Sequence, residues 1–197
     1  MNKNDEIEVK ITDLTDEGFG IGHTGDGYAL FVKGALPGDK VVAHVTKVMK
    51  RYSYAIVSEF IERSKDRVDP VCVVCGKCGG CTLQELSYEA QLDFKKRKVE
   101  AALTRTGGFT GFSVPLPVSG SPEHYRNKAE IPVGVNKDGE TVAGYYAIHS
   151  HRIVPCDDCI IAPMDTDRIK RDVLIYMKEN GISAYDSETR KGSVRHI

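Results

Sequence analysis

The chain has 197 residues, is 41% hydrophobic and carries a formal net charge of −1, which is enough apolar material for one or two domains with buried cores. No run approaches the roughly 18 apolar residues of a helical membrane span, and the N-terminus MNKNDEIEVK lacks the apolar stretch of a secretory leader. Composition therefore excludes a global polycation, so nucleic-acid binding would need local patches. It predicts a cytoplasmic location with no membrane association, where clustered cysteines serve as metal ligands or catalytic groups rather than disulfides.

Residues 5 to about 61 alternate as strands do. IEVKITDL, GYALFV, DKVVAHVTKV and SYAIVSEFI are separated by the turn signals DEGFG, HTGDG and GALPGD. About five short strands in so few residues predict a small antiparallel β-barrel of OB type over residues 1–62. GFGIG, residues 18–22, resembles part of a dinucleotide fingerprint but opens no helix, so it is expected as a glycine-permitted hairpin or bulge. The polar stretch ERSKDRVDP sets a boundary near residues 62–70.

In TLQELSYEAQLDFKKRKVEAALTRTGG, Leu86, Ala90 and Phe94 recur every four residues and Val99, Ala102 and Leu103 continue the stripe. This predicts a helix of about 20 residues stopped by Gly107. After the loop FTGFSVPLPVSGSP, the alternation of Ala129, Ile131, Val133 and Val135, the turn NKDGE and the return TVAGYYA predict a hairpin. Pro132 makes its first strand an edge or bulged one. APMDTDRIKRDVLIYMKENG predicts a second helix, with Asp165 or Asp167 as N-cap, Ile169, Val173 and Met177 buried, and Gly181 as stop. ISAYDSETRKGSVRHI reads as strand, turn and the start of a strand, an ending expected of a truncated chain. The fold class expected is thus a small β-barrel followed by a mixed α/β domain over residues 70–197.

CVVCGKCGGC, residues 72–81, holds four cysteines at every third position, and VPCDDCIIAP adds Cys156 and Cys159. A zinc ribbon would use Cys78 with Cys81 and Cys156 with Cys159, and would leave Cys72 and Cys75 without a role. A cubane iron-sulfur cluster needs four thiolates, commonly three from one loop and one from elsewhere, which this distribution suits. Gly79 and Gly80 leave room for close approach, and their N–H groups are expected to donate to cluster sulfur. Spacing alone chooses neither three of Cys72, Cys75, Cys78 and Cys81 nor between Cys156 and Cys159.

Cys72, Cys78, Gly79, Gly80, Cys81 and Gln84 form the run C-x5-C-G-G-C-x2-Q. With the preceding barrel, YRNKAEIPVG (125–134), GYYAIHSHRIVPCDDCIIAP (144–163) and the final GSVRHI, the chain resembles the RNA uracil-5 methyltransferases, particularly the bacterial 23S rRNA (uracil-5-)-methyltransferases. The resemblance implies that the barrel is a TRAM domain, that a 4Fe-4S cluster is held by Cys72, Cys78, Cys81 and Cys159, and that the partner of a monomeric protein is 23S rRNA. Cys75 and Cys156 match no ligand position and read as small passenger thiols. The family's S-adenosylmethionine domain, with its nucleophilic cysteine and base, would follow GSVRHI. No catalytic or S-adenosylmethionine-binding residue is therefore expected in this chain, and the fragment alone is expected to be inactive. The cluster is expected to be structural, since methyl transfer to uracil C5 needs no electron.

RNA binding calls for cations and flat side chains. Lys47, Lys50, Arg51, Tyr52 and Tyr54 offer both in the barrel, against the plainer reading of a solvated strand end with tyrosines half in the core. Arg126, Asn127 and Lys128 are expected to open a strand and contact RNA. KKRK at 95–98 reads as a solvated helix face, and His149 and His151 as loop residues near the second cysteine pair. The competing function is a stand-alone zinc-binding, RNA-binding module with no methyltransferase activity.

Overall fold

The computed structural model describes residues 1–197. Five strands, β1 (Glu6–Leu14), β2 (Gly20–His23), β3 (Ala29–Lys33), β4 (Lys40–Val48) and β5 (Tyr52–Glu62), close a barrel in the order β1-β2-β3-β5-β4. The period of two decides which side chains enter it. Val41, Ala43 and Val45 of β4 join Val9, Ile11, Leu30, Val32 and Ala55 in the core. The barrel is not wholly antiparallel, because β3 pairs parallel with β5 from Ala29 opposite Tyr52 to Lys33 opposite Ile56.

GFGIG supplies a strand as well as a turn. Gly18 takes the left-handed φ of 81° that turns the chain, and Gly20–His23 then runs as β2 between β1 and β3. A Cβ on Gly22 would lie 2.4 Å from Val9 Cγ2 and 2.9 Å from the Lys10 carbonyl oxygen. Glycine is thus required there by close approach. A register slip between Ile11 and Asp13 of β1 supplies the expected bulge on the opposite strand.

The polar stretch after the barrel is fastened. Asp39 is fully buried and accepts hydrogen bonds from Leu36 N (2.7 Å), Ser64 N (2.8 Å) and Arg67 Nη2 (2.6 Å). Arg67 also reaches Glu85 at 3.2 Å and lies 4.9 Å over the Phe60 ring.

The chain divides into two compact units, residues 1–69 with 85–116 and residues 70–84 with 117–197. In the first, α1 (Tyr88–Ala101) is capped by the Ser87 side chain, which accepts from Ala90 N, and continues as a π-turn over Ala102–Thr106 to Gly107. Its apolar stripe is only half used, since Leu86 and Phe94 are buried while Val99 is exposed. The KKRK run is solvated and ion-paired: Arg97 with Asp93 (3.3 Å), Lys96 with Glu100 (3.9 Å) and Lys98 with Asp16.

In the second unit β6 (Val133–Val135), β7 (Thr141–Tyr146) and β8 (Ile153–Pro155) form an antiparallel sheet in that order. Ile131 and Ile197 exchange both backbone hydrogen bonds (2.8 and 2.9 Å), so the chain end pairs beside the segment leading into β6. The helix α2 (Thr166–Glu179) buries Met177 against Ile131, Val133, Ala143 and Ala184. Its buried face differs from expectation at one end. Ile169 is 45% exposed whereas Lys170 is 3% exposed, and Lys170 finds acceptors at the Cys156 carbonyl, Asp157 and Asp167. Asp165 is the N-cap residue but makes no side-chain cap bond. Gly181, at φ 63°, ends the helix as expected. No helix is long and apolar enough to cross a membrane.

Candidate metal centre and nucleic-acid surface

The cysteine loop is coiled by its own backbone. Cys75 N donates to the Cys72 carbonyl, and Lys77 N and Cys78 N both donate to the Val74 carbonyl, each at 3.0 Å. The next residues pin the coil to the end of β7: Cys78 bridges Ala147, and Gly79 N donates to the Tyr146 carbonyl at 2.8 Å. The two glycines therefore divide their tasks. The Gly79 N–H is committed to the sheet and is not free for sulfur, whereas the Gly80 N–H donates to Cys78 Sγ at 3.3 Å.

The second cysteine pair follows β8 directly. Cys156 is 4% exposed, Cys159 is partly buried, and Ala162 N donates to the Cys159 carbonyl at 3.0 Å. All six cysteines line one cavity together with Gln84, Arg126 and Tyr145.

The thiols sense one another. Burial raises the pKa of Cys78, opposed by the Gly80 N–H, and negative charge on Cys81, Cys159 and Cys72 raises it further. Burial also pushes Cys156 up to about 11, opposed by the Asp158 N–H, with Cys159 and Cys72 again adding to the rise. Burial raises the Tyr145 hydroxyl as well, followed by its hydrogen bond with Cys159 and the charges of Cys159, Cys156 and Asp167. Cys72, Cys78, Cys81 and Cys159 are thus within electrostatic reach around one cavity. No three His, Cys, Asp or Glu side chains are gathered closely enough to hold a single metal ion.

The donor set suits an iron-sulfur group by chemistry. The thiolates are soft ligands, one sulfur already accepts a backbone N–H, and the Gln84 Oε1 is buried beside the cavity without a hydrogen-bond partner. Amide oxygen and nitrogen are assigned from their surroundings, so the opposite orientation would aim an N–H2 donor into the same space.

The barrel carries a second feature. Ser53 and Ala55 of β5 point inward, while Tyr52 and Tyr54 stand on the outer face, half-buried. Tyr52 and Tyr54 meet edge to face at 5.6 Å, Phe31 lies 5.1 Å from Tyr52 and 5.8 Å from Tyr54, and Phe19 lies 5.7 Å from Tyr54. The tyrosines belong to an external aromatic platform rather than to the core. Lys47 pairs across the ladder with Tyr54, and Lys50 and Arg51 sit exposed at the β4–β5 turn.

The family model for the TRAM domain matches residues 2–57. An uncharacterized RNA methyltransferase of Halalkalibacterium halodurans is 44% identical over 100% of this chain, and one of Listeria monocytogenes is 40% identical over 100% of it. The barrel is a TRAM domain, and the chain is homologous to RNA methyltransferases. It spans 43% of the length of both relatives. The crystal structure of the Pyrococcus abyssi tRNA (uracil-54, C5)-methyltransferase in complex with S-adenosyl-L-homocysteine is similar with a TM-score of 0.66 and 28% identity, over 96% of this chain and 41% of that one.

Outside the TRAM barrel, Arg126, Asn127 and Lys128 are exposed but open no regular strand, since β6 begins only at Val133. The Arg126 N–H donates to the Ile161 carbonyl at 3.2 Å, which brings this residue to the rim of the cysteine cavity. Lys128 lies 3.8 Å from Glu130. His149 is exposed at φ 53°, and His151 stacks edge-on to Tyr146 at 5.3 Å. Sequence reasoning missed Tyr145 and Phe31, whose alternation reads as ordinary strand, and Phe19, which lies in the GFGIG turn just before β2. It also missed Lys170, whose single signal was a charge in register with the apolar face of a helix.

Proposed function

We propose that this chain is the RNA-recognition and 4Fe-4S-binding part of an S-adenosylmethionine-dependent 23S rRNA uracil-5 methyltransferase of the cytoplasm. The observation that carries the reading is the gathering of Cys72, Cys78, Cys81 and Cys159, from two distant segments, around one cavity. On this reading the four thiolates hold the cluster, and Cys75 and Cys156 are passengers. A zinc ion held by two C-x2-C pairs would leave Cys72 and Cys75 without a role, whereas a cubane takes three thiolates from one loop and a fourth from elsewhere. The cluster, when bound, supplies a covalent tie between the loop at 72–81 and the knuckle at 156–159, and the chain's own residues do the rest.

Residues 1–62 grip RNA through Lys47, Lys50 and Arg51 on phosphates and through Tyr52 against an unstacked base. In the part from 70 to 197, Arg126, Asn127 and Lys128 add phosphate or base contacts. Methyl donor, nucleophilic cysteine and base belong to a further domain, so the 197 residues alone transfer no methyl group.

The solved relative is named for a tRNA uridine, which makes tRNA the competing target. Incubating the full-length protein with S-adenosylmethionine and either 23S rRNA or tRNA transcripts, then measuring 5-methyluridine, decides between them. Product in 23S rRNA alone is expected, and product confined to tRNA overturns the assignment of target. A protein that binds RNA, carries zinc and makes no 5-methyluridine would instead be the stand-alone module.

A further inference from the structure

We infer that Lys170 is a positioning residue for the cysteine knuckle at 156–159, acting from α2 through hydrogen bonds that orient the backbone at Cys156 and Cys159. This rests on the reading of Cys159 as a cluster ligand. Lys170 is 3% exposed, and an ammonium so deep in a small unit needs its donors satisfied. It donates to the Cys156 carbonyl, to Asp167 Oδ1 at 2.9 Å and to Asp157 Oδ1 at 3.2 Å.

These partners are not equivalent. The Asp157 side chain is 94% exposed, whereas that of Asp167 is 22% exposed, so water competes for the first and much less for the second. Asp167 completes a relay: its Oδ1 accepts from Lys170, and its Oδ2 accepts from Cys159 N at 3.4 Å. One helix side chain thereby holds the carbonyl at one end of the knuckle and, through Asp167, the amide at the other.

The geometry suits the knuckle's task. The 72–81 loop is ordered by its own turns and by β7, but the Cys156–Cys159 segment leaves the sheet at Pro155 and must present a single sulfur in one direction. Without the ammonium the Cys156 carbonyl and Asp167 lose their shared donor, and the Cys159 amide loses a fixed acceptor.

The test compares wild-type, Lys170→Met, Lys170→Arg and Asp167→Asn proteins, each made as the full chain without air. The readouts are the lifetime of the iron-sulfur absorbance under a chelator and the amide exchange rate of residues 156–162 in cluster-free protein. Lys170→Met and Asp167→Asn are each expected to shorten the lifetime at least about 10-fold and to speed exchange at Cys159. Lys170→Arg, which keeps charged donors, is expected to recover most of both.

A Lys170→Met lifetime within about twofold of wild type overturns the inference whatever its exchange rate. A Lys170→Arg protein as impaired as Lys170→Met also overturns it. Should Lys170→Met fail to fold, Asp167→Asn decides by the same thresholds. Wild-type protein without iron and sulfide would sink the cluster reading, and exchange at Cys159 would then decide alone whether Lys170 positions the knuckle.

Discussion

Cys156 and Cys159 lie three positions apart on one knuckle, yet only Cys156 is sealed from solvent. Burial holds the Cys156 thiol at about 11 against an ordinary 9.0, so near pH 8 it carries roughly 100-fold less thiolate than an exposed cysteine. Cluster-free protein should therefore be alkylated by iodoacetamide more slowly at Cys156 than is the cysteine of a short unstructured peptide, with the rate rising toward pH 11, as peptide mass spectrometry would show. The sign for stability follows from the same shift. A folded-state value above the unfolded one means the fold binds that proton more tightly, so the contribution is whole below pH 9 and is lost as pH rises toward 11. Equal alkylation of Cys156 and of the peptide cysteine at pH 8 would contradict this. On the barrel, Tyr52→Ala removes a stacking face and should weaken single-stranded RNA binding by about 1–3 kcal/mol. Replacing Lys50 or Arg51 should instead lower the slope of log affinity against log salt by about 0.7 each, and anisotropy titrations at several salt concentrations separate the two effects.

At the scale of elements, one buried ion pair ties the TRAM barrel to the polar stretch that follows it. Asp39 is fully buried and Arg67 nearly so, and Asp39 also organises the amides of Leu36 and Ser64. Arg67→Met leaves that carboxylate buried without its cation and should cost about 3–5 kcal/mol in urea unfolding. Gly22→Ala forces a methyl against Val9 and should cost about 1–3 kcal/mol. Strands β1, β3, β4 and β5 were legible because inward and outward residues alternate along them. Strand β2 was hidden because its inward positions are glycines, which carry no hydrophobic signal. The buried face of α2 was misread at Ile169 for a related reason: tertiary acceptors at Cys156, Asp157 and Asp167 make Lys170 the interior residue, and no helical period reports that.

For the molecule as a whole, the formal charge of −1 means that, on the proposed reading, RNA affinity rests on local features, the aromatic platform and cations of the barrel in one unit and Arg126 beside the cysteine cavity in the other. The four-cysteine loop was visible at once, but its even spacing could not say which sulfurs face a common space. That information lies in the coil at 72–78, the pin on β7 and the turn after β8, all products of folding. Cys75 also lines the cavity, so ligands and passengers are told apart by which thiol, when removed, costs the protein its iron. Iron and acid-labile sulfide measured per chain, in protein purified without air as wild type and as each single cysteine-to-serine variant, test it most directly. The account predicts about four of each in wild type, retained in Cys75→Ser and Cys156→Ser and lost in Cys72→Ser, Cys78→Ser, Cys81→Ser and Cys159→Ser. Stoichiometric zinc without sulfide in the wild type, or loss of iron from Cys75→Ser with retention in Cys159→Ser, would contradict it.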